Sequence, residues 1–169
     1  MKKVIVTVLM IFLAYLLQTT IGEAIAIGGI RPNVIIVLVV CCGYRYGRIP
    51  GMLAGLAVGL LIDLAEANYI GMNALFYLTI GYMNGWMNKL YYHDFTMVPL
   101  ILVTASEFLL NLMQYVTGFL MRNRLDLPFY LVRIIVPDVL YTAVLSVLTY
   151  RLITMVYLLA EKKPEAEED

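Results

Sequence analysis

Apolar residues run along this chain in long blocks, broken only by short stretches of charged, glycine or proline residues. Taking those stretches as punctuation, the pattern predicts six helices, at about 4–21, 33–47, 51–68, 72–89, 97–121 and 129–159. The sixth is long enough to overshoot a bilayer. It is followed by EKKPEAEED, residues 161–169, a polar segment read as a disordered tail. The second block is the short one. Between Pro32 and the Arg45–Arg48 patch lie about 12 residues, which at ~1.5 Å per residue fall short of a ~30 Å hydrocarbon core. Helix 2 is therefore tilted, buried by its neighbours or re-entrant. Helix 1 has the flanks of a signal peptide, with Lys2 and Lys3 before an apolar run and Ala24, Ile25, Ala26 after it. Its apolar core of about 18 residues exceeds the usual 7–15, so it is read as a retained span.

Composition settles the solvent. Of 169 residues 62% are hydrophobic and 14% charged, against about 25% charged in soluble domains. The expected fold class is an all-α polytopic membrane protein with six transmembrane helices, a single domain over 1–160. Its orientation is read from Lys and Arg near the helix ends. With the N-terminus in the cytoplasm, Lys2, Lys3, Arg45, Arg48, Lys89, Lys162 and Lys163 fall inside, and Arg151 near that face. Arg31, Arg122, Arg124 and Arg133 fall outside. The excess favours both termini in the cytoplasm.

The segment GMLAGLAVGLLIDLAEANYIGMNAL, residues 51–75, carries glycine every fourth residue and then an acid. Gly51, Gly55 and Gly59 form a smooth stripe, and Gly81 and Gly85 repeat the spacing on helix 4. In lipid, helices associate through close backbone contact, which small residues four apart permit. The stripe either packs helices within the chain or makes a contact between molecules. Asp63 lies ~18 Å up helix 3 and Glu66 three residues further. An intramembrane acid is a functional candidate by default, here as an organiser of a partner-docking surface. The structural alternative is that Asp63 braces the turn ANYIGMN, which includes Asn73, by accepting hydrogen bonds from its backbone.

Helix 5 holds a deeper polar group. Glu107, Asn111 and Gln114 share one face, and Glu107 stands about 15 Å from the helix start, near the bilayer centre. It is either an internal or intersubunit hydrogen-bond clamp or part of an ion or substrate path. In helix 6, Pro137 is expected to kink the outer end. Asp138 stands beside it, and Arg133 is close enough in sequence to pair with that acid. Catalytic signatures are absent. His93 is the single histidine, Cys41 and Cys42 read as buried small residues, and there is no phosphate loop, nucleophile elbow or zinc helix. No enzyme activity, cofactor, metal or nucleic-acid partner is expected.

The order of these pieces is itself informative. The stretch PNVIIVLVVCCGYRYGRIPGMLAGLAVGLLIDLAEANYIGMNALFYLTIGYMNG resembles the MreD family, the integral membrane subunit of the bacterial rod-shape machinery. That family has a short proline-led helix, a basic turn, a G-x-x-x-G run ending in Leu and Asp, then G-x-N-A-L leading to G-Y-x-x-G. The likeness covers about residues 32–85; helices 5 and 6 carry no matching motif, so Glu107 and Asp138 gain no role from it. The resemblance implies a non-enzymatic scaffold in the bacterial inner membrane that organises peptidoglycan synthesis. Its implied partners are an MreC-like single-span periplasmic protein, the MreB filament, RodA and a class B penicillin-binding protein. It also implies a bundle similar to the substrate-binding S-components of energy-coupling-factor vitamin transporters. A second reading follows from that, a small-molecule-binding subunit whose outward cavity draws ligands from Asp63, Glu66, Asn68 and Asn73.

Overall fold

The computed structural model describes residues 2–24, 26, 31–66, 71–90, 97–120, 129 and 131–161. Among the described residues six α-helices are delimited: α1 Lys2–Ala24, α2 Val34–Tyr46, α3 Arg48–Glu66, α4 Met72–Trp86, α5 Met97–Tyr115 and α6 Val136–Glu161. No strand occurs among the described residues. Three of the helices are long and apolar enough to cross a membrane, over Arg48–Ala65, Met97–Gly118 and Leu131–Val156. The segment 162–169, expected to be a disordered tail, lies outside the described residues, as do Asn68 and His93.

The short second helix is the centre of the molecule. Every residue from Ile35 to Tyr44 is buried, and α2 touches each of the other five α-helices. A helix apolar on all sides needs such an enclosure. At 13 residues it is about 20 Å long, and being wrapped by protein it has no need to reach both bilayer faces. Its ends are sealed by side chains, because exposed backbone polar groups are not tolerated at membrane depth. At the start, the Asn33 side chain accepts from the Ile36 N–H at 3.1 Å and Gln18 of α1 accepts from Val34 N–H at 2.8 Å. At the finish, the Asn88 amide donates to the carbonyls of Tyr44 and Arg45, both at 2.8 Å.

Only Gly47 separates α2 from α3, and its φ of 96° is a conformation that side chains other than glycine rarely adopt. Helix α3 starts at Arg48, three residues earlier than the sequence pattern suggests. Pro50 then falls in its first turn, where a missing N–H costs no hydrogen bond. Helix α4 tightens into a 3₁₀ turn at Met87–Leu90.

The glycine stripes meet inside the chain. A Cβ on Gly51 would stand 2.5 Å from the Cα of Gly43 and from the carbonyl oxygen of Gly81. A Cβ on Gly55 would strike the Tyr77 carbonyl, one on Gly59 the Ala74 backbone, one on Gly81 the Gly51 carbonyl and one on Gly85 the Arg48 backbone. Helices α3 and α4 therefore lie backbone to backbone, with α2 joining them at Gly43.

The expected kink in α6 takes another form. A widened π turn, Leu131–Ile135, leads into Val136, so Pro137 sits in the first turn of the regular helix. The proline ring crowds the carbonyl four residues back, and the widened turn gives it room. Arg133 does not pair with Asp138. It is exposed and lies over the Phe129 ring, 5.6 Å from the centroid, while Asp138 takes its hydrogen bond from Asn111. Large apolar side chains such as Leu9, Phe12, Leu140, Val144 and Leu148 cover the outward faces of α1 and α6. In a bilayer those faces are solvated by lipid.

Candidate functional site

Asp63 closes the α3–α4 pair. Its carboxylate is 2% exposed and accepts four hydrogen bonds, from the N–H groups of Gly71, Asn73 and Ala74 and from the Asn73 side-chain amide, at 2.9 to 3.1 Å. Those backbone donors are the unpaired N–H groups at the start of α4, where an anion is also favoured by the helix dipole. Gly71 enters that helix with φ 102°, and its own side chain offers nothing, so the cap comes from the preceding helix. The Gly59–Ala74 backbone contact holds α3 and α4 close enough for the carboxylate to reach. Asp63 thus faces the interior and grips its own hairpin rather than lying on an outer surface. Glu66 ends α3, and its side chain lies outside the described part.

A second polar group fills the same end of the bundle. A cavity of about 220 Å³ is bounded by Gln18, Asn33, Asn73, Tyr77, Glu107 and Asp138, one or more from each helix except α3, which contributes Ile62. Of the lining residues, Gln18, Ile62 and Gln114 lie in the later parts of α1, α3 and α5 and Asn33, Asn73 and Asp138 at the starts of α2, α4 and α6, so consecutive helices run antiparallel. Asn33 ties three helices together at this level. Its N–H donates to Thr142 Oγ1 at 3.1 Å, its Nδ2 to the Tyr77 hydroxyl at 2.9 Å, and its Oδ1 caps α2.

Glu107 is 1% exposed and forms the floor of that group. One amide spans both acids: Asn111 Nδ2 donates to Glu107 Oε1 at 3.3 Å and to Asp138 Oδ2 at 2.8 Å. The Asp138 carboxyl and the Asn33 amide lie within hydrogen-bond reach of Glu107, so the two acids are placed to share one proton. Gln114, on the same helix, is exposed at the rim. Elsewhere Asn84 donates to Ser106 Oγ at 2.8 Å, fastening α4 to α5.

Glu107, Asn111 and Asp138 thus come together, while Asp63 and Asn73 form a separate cap on α4. The cavity that the second reading expected around Asp63 is lined by Asn73 but not by Asp63. Sequence reading passed over Gln18, Asn33, Tyr77, Asn84, Asn88 and Thr142. Asn33 had a usable signal, a cap-forming residue directly before an apolar run. Thr142 and Tyr77 had none, because their partners lie 109 and 44 residues away. Chemically, the arrangement offers hydrogen-bond acceptors and a carboxyl pair, with no group of three potential metal ligands among the described residues.

No curated protein and no solved structure matches the chain. The family model for the rod shape-determining protein MreD matches residues 1–163. That match runs beyond the 32–85 stretch that carries the motifs and takes in the helices bearing Glu107 and Asp138. With nearly its whole length matched and long apolar helices to fit it, the chain belongs to the MreD family of rod shape-determining membrane proteins.

Proposed function

We propose that this chain is a non-enzymatic scaffold of the cell-elongation machinery, which binds an MreC-like single-span periplasmic partner and through it organises peptidoglycan synthesis. The observation that carries the reading is the family match over residues 1–163. MreB, RodA and a class B penicillin-binding protein complete the expected assembly. In this reading the chain is a multi-pass protein of the bacterial inner membrane with both termini in the cytoplasm. The distribution of cations supports that orientation. Arg45, Arg48 and Arg151 gather at the end of the bundle opposite the polar cavity, with Arg48 over the Trp86 ring at 4.8 Å. Helices α1, α4 and the enclosed α2 complete six passes.

A second reading is favoured by one observation, the polar cavity, which suits a small-molecule-binding transporter subunit. A bacterial two-hybrid assay with reporter halves on the cytoplasmic termini separates the two. The scaffold gives a signal with the MreC-like protein of the same host. A signal with an ATPase-coupled membrane module, and none with that protein, would overturn it.

A further inference from the structure

We propose that the groove between the start of α5 and the later part of α6 seats one anionic phospholipid, with an acyl chain along the groove and the phosphate on Arg151. This requires only that the chain spans a membrane, not that it acts as a scaffold. The groove has a volume of about 240 Å³, and Leu100 and Val103 of α5 face Val147 of α6 across it. Its polar side chains are Ser146, Tyr150 and Arg151. The Ser146 hydroxyl is turned back onto its own helix, donating to the Ala143 carbonyl at 2.7 Å.

Depth identifies the kind of occupant. The apolar span that includes α6 begins at Leu131, and at ~1.5 Å per residue Arg151 stands about 30 Å further along, one hydrocarbon thickness. It is therefore level with the lipid headgroups, beside the first turn of α5 at Met97. From there the apolar wall of Leu100, Val103 and Val147 runs toward the bilayer centre. An occupant has its polar end at Arg151 and its apolar part in hydrocarbon, which is the order of groups in a lipid.

Charge gives the sign of the headgroup. Arg151 is exposed and makes no hydrogen bond or ion pair with any described residue. Its guanidinium keeps its charge and presents donors in a fork that matches phosphate. The N-terminal end of α5 opens on the same mouth, and the helix dipole adds positive partial charge there. The groove has no acidic side chain among the described residues that line it, so the cation is left for an incoming anion. Size selects a single chain. A slot of about 240 Å³ lies below the ~300–1,000 Å³ of pockets for compact ligands, and a partner helix about 10–12 Å across would need a broader face.

The test is native mass spectrometry of the full-length chain released from detergent micelles that carry phosphatidylglycerol or phosphatidylcholine at equal mole fraction. The proposal expects one phosphatidylglycerol retained per chain, saturably, with phosphatidylcholine retained about fivefold less or weaker still, the worth of one Arg at an anionic headgroup. Arg151→Gln should remove that preference, and Val147→Trp, which fills the groove, should lower retention of the lipid itself. Arg133→Gln, in the turn at the other end of α6, should leave both unchanged. If Val147→Trp fails to fold, as gel filtration would show, the exposed Arg151→Gln carries the comparison. Glycerol phosphate, the headgroup without its chains, should not displace the lipid. In native membranes, benzoylphenylalanine in place of Met97 should crosslink to lipid. Equal retention of the two lipids, or an unchanged preference in folded Arg151→Gln, would overturn the proposal. So would displacement by glycerol phosphate, or a protein adduct at Met97 in place of lipid.

Discussion

A single carboxylate fixes how α3 meets α4. Asp63 satisfies three backbone donors and one side-chain donor, so Asp63→Ala leaves the start of α4 uncapped at a buried position. Loss of a charged cap with several bonds is expected to cost on the order of 3 kcal/mol. Chemical unfolding in mixed micelles should show it, with Asp63→Asn, which keeps an acceptor oxygen, falling between. Partner recovery per folded molecule should stay constant across these variants. Normal stability with weakened recovery would instead mean that Asp63 meets a partner directly. The sequence made Asp63 conspicuous as an acid in an apolar run, and its bracing role was one of two legible readings. What it could not convey was which donors surround it, since those are set by the approach of two backbones at Gly59 and Ala74. Glu107 and Asn111 were visible as one helical face because their spacing is local. Their partner Asp138 is 27 residues beyond Asn111 and carried no mark linking it to them.

Among the elements, the α3–α4 pair has the least tolerance for change. Gly55→Leu or Gly81→Leu drives a side chain into the backbone of the facing helix, where no rotamer escapes. Overpacking usually costs about 1–3 kcal/mol, and backbone against backbone should exceed that. The expected outcome is loss of folded protein from membranes, measured by quantitative immunoblotting and by gel filtration in detergent. Retention of a monodisperse peak would show that the helices are not held this close. A milder interhelical tie is the Asn84–Ser106 bond. A double-mutant cycle with Asn84→Leu and Ser106→Ala should give a coupling of about 0.6–1.7 kcal/mol, the range for hydrogen bonds within membranes. Helix positions were readable from the hydrophobic blocks to within a few residues, because charges and prolines mark their ends. The enclosure of α2 was one of three readings its length allowed. Only the contacts of five neighbours select it, and no local pattern encodes them.

For the whole molecule, Arg45, Arg48 and Arg151 at the end away from the polar cavity, against Arg31 and Arg133 at the cavity end, are read as an orientation. Reporters fused after Asp169 and within residues 68–71 should register opposite sides of the membrane. Signals on the same side would contradict six passes. The membrane class and the family were legible in the sequence from composition and motif order. The polar cavity was not, because it is assembled from the ends of helices far apart in the chain. The central claim, that this protein acts by holding a partner rather than by catalysis or transport, is tested most directly by affinity purification from native membranes. The tagged chain should recover a single-span periplasmic protein of the MreC type in near-equal amount. Recovery of an ATPase-coupled module in its place, with no such protein present, would contradict the account.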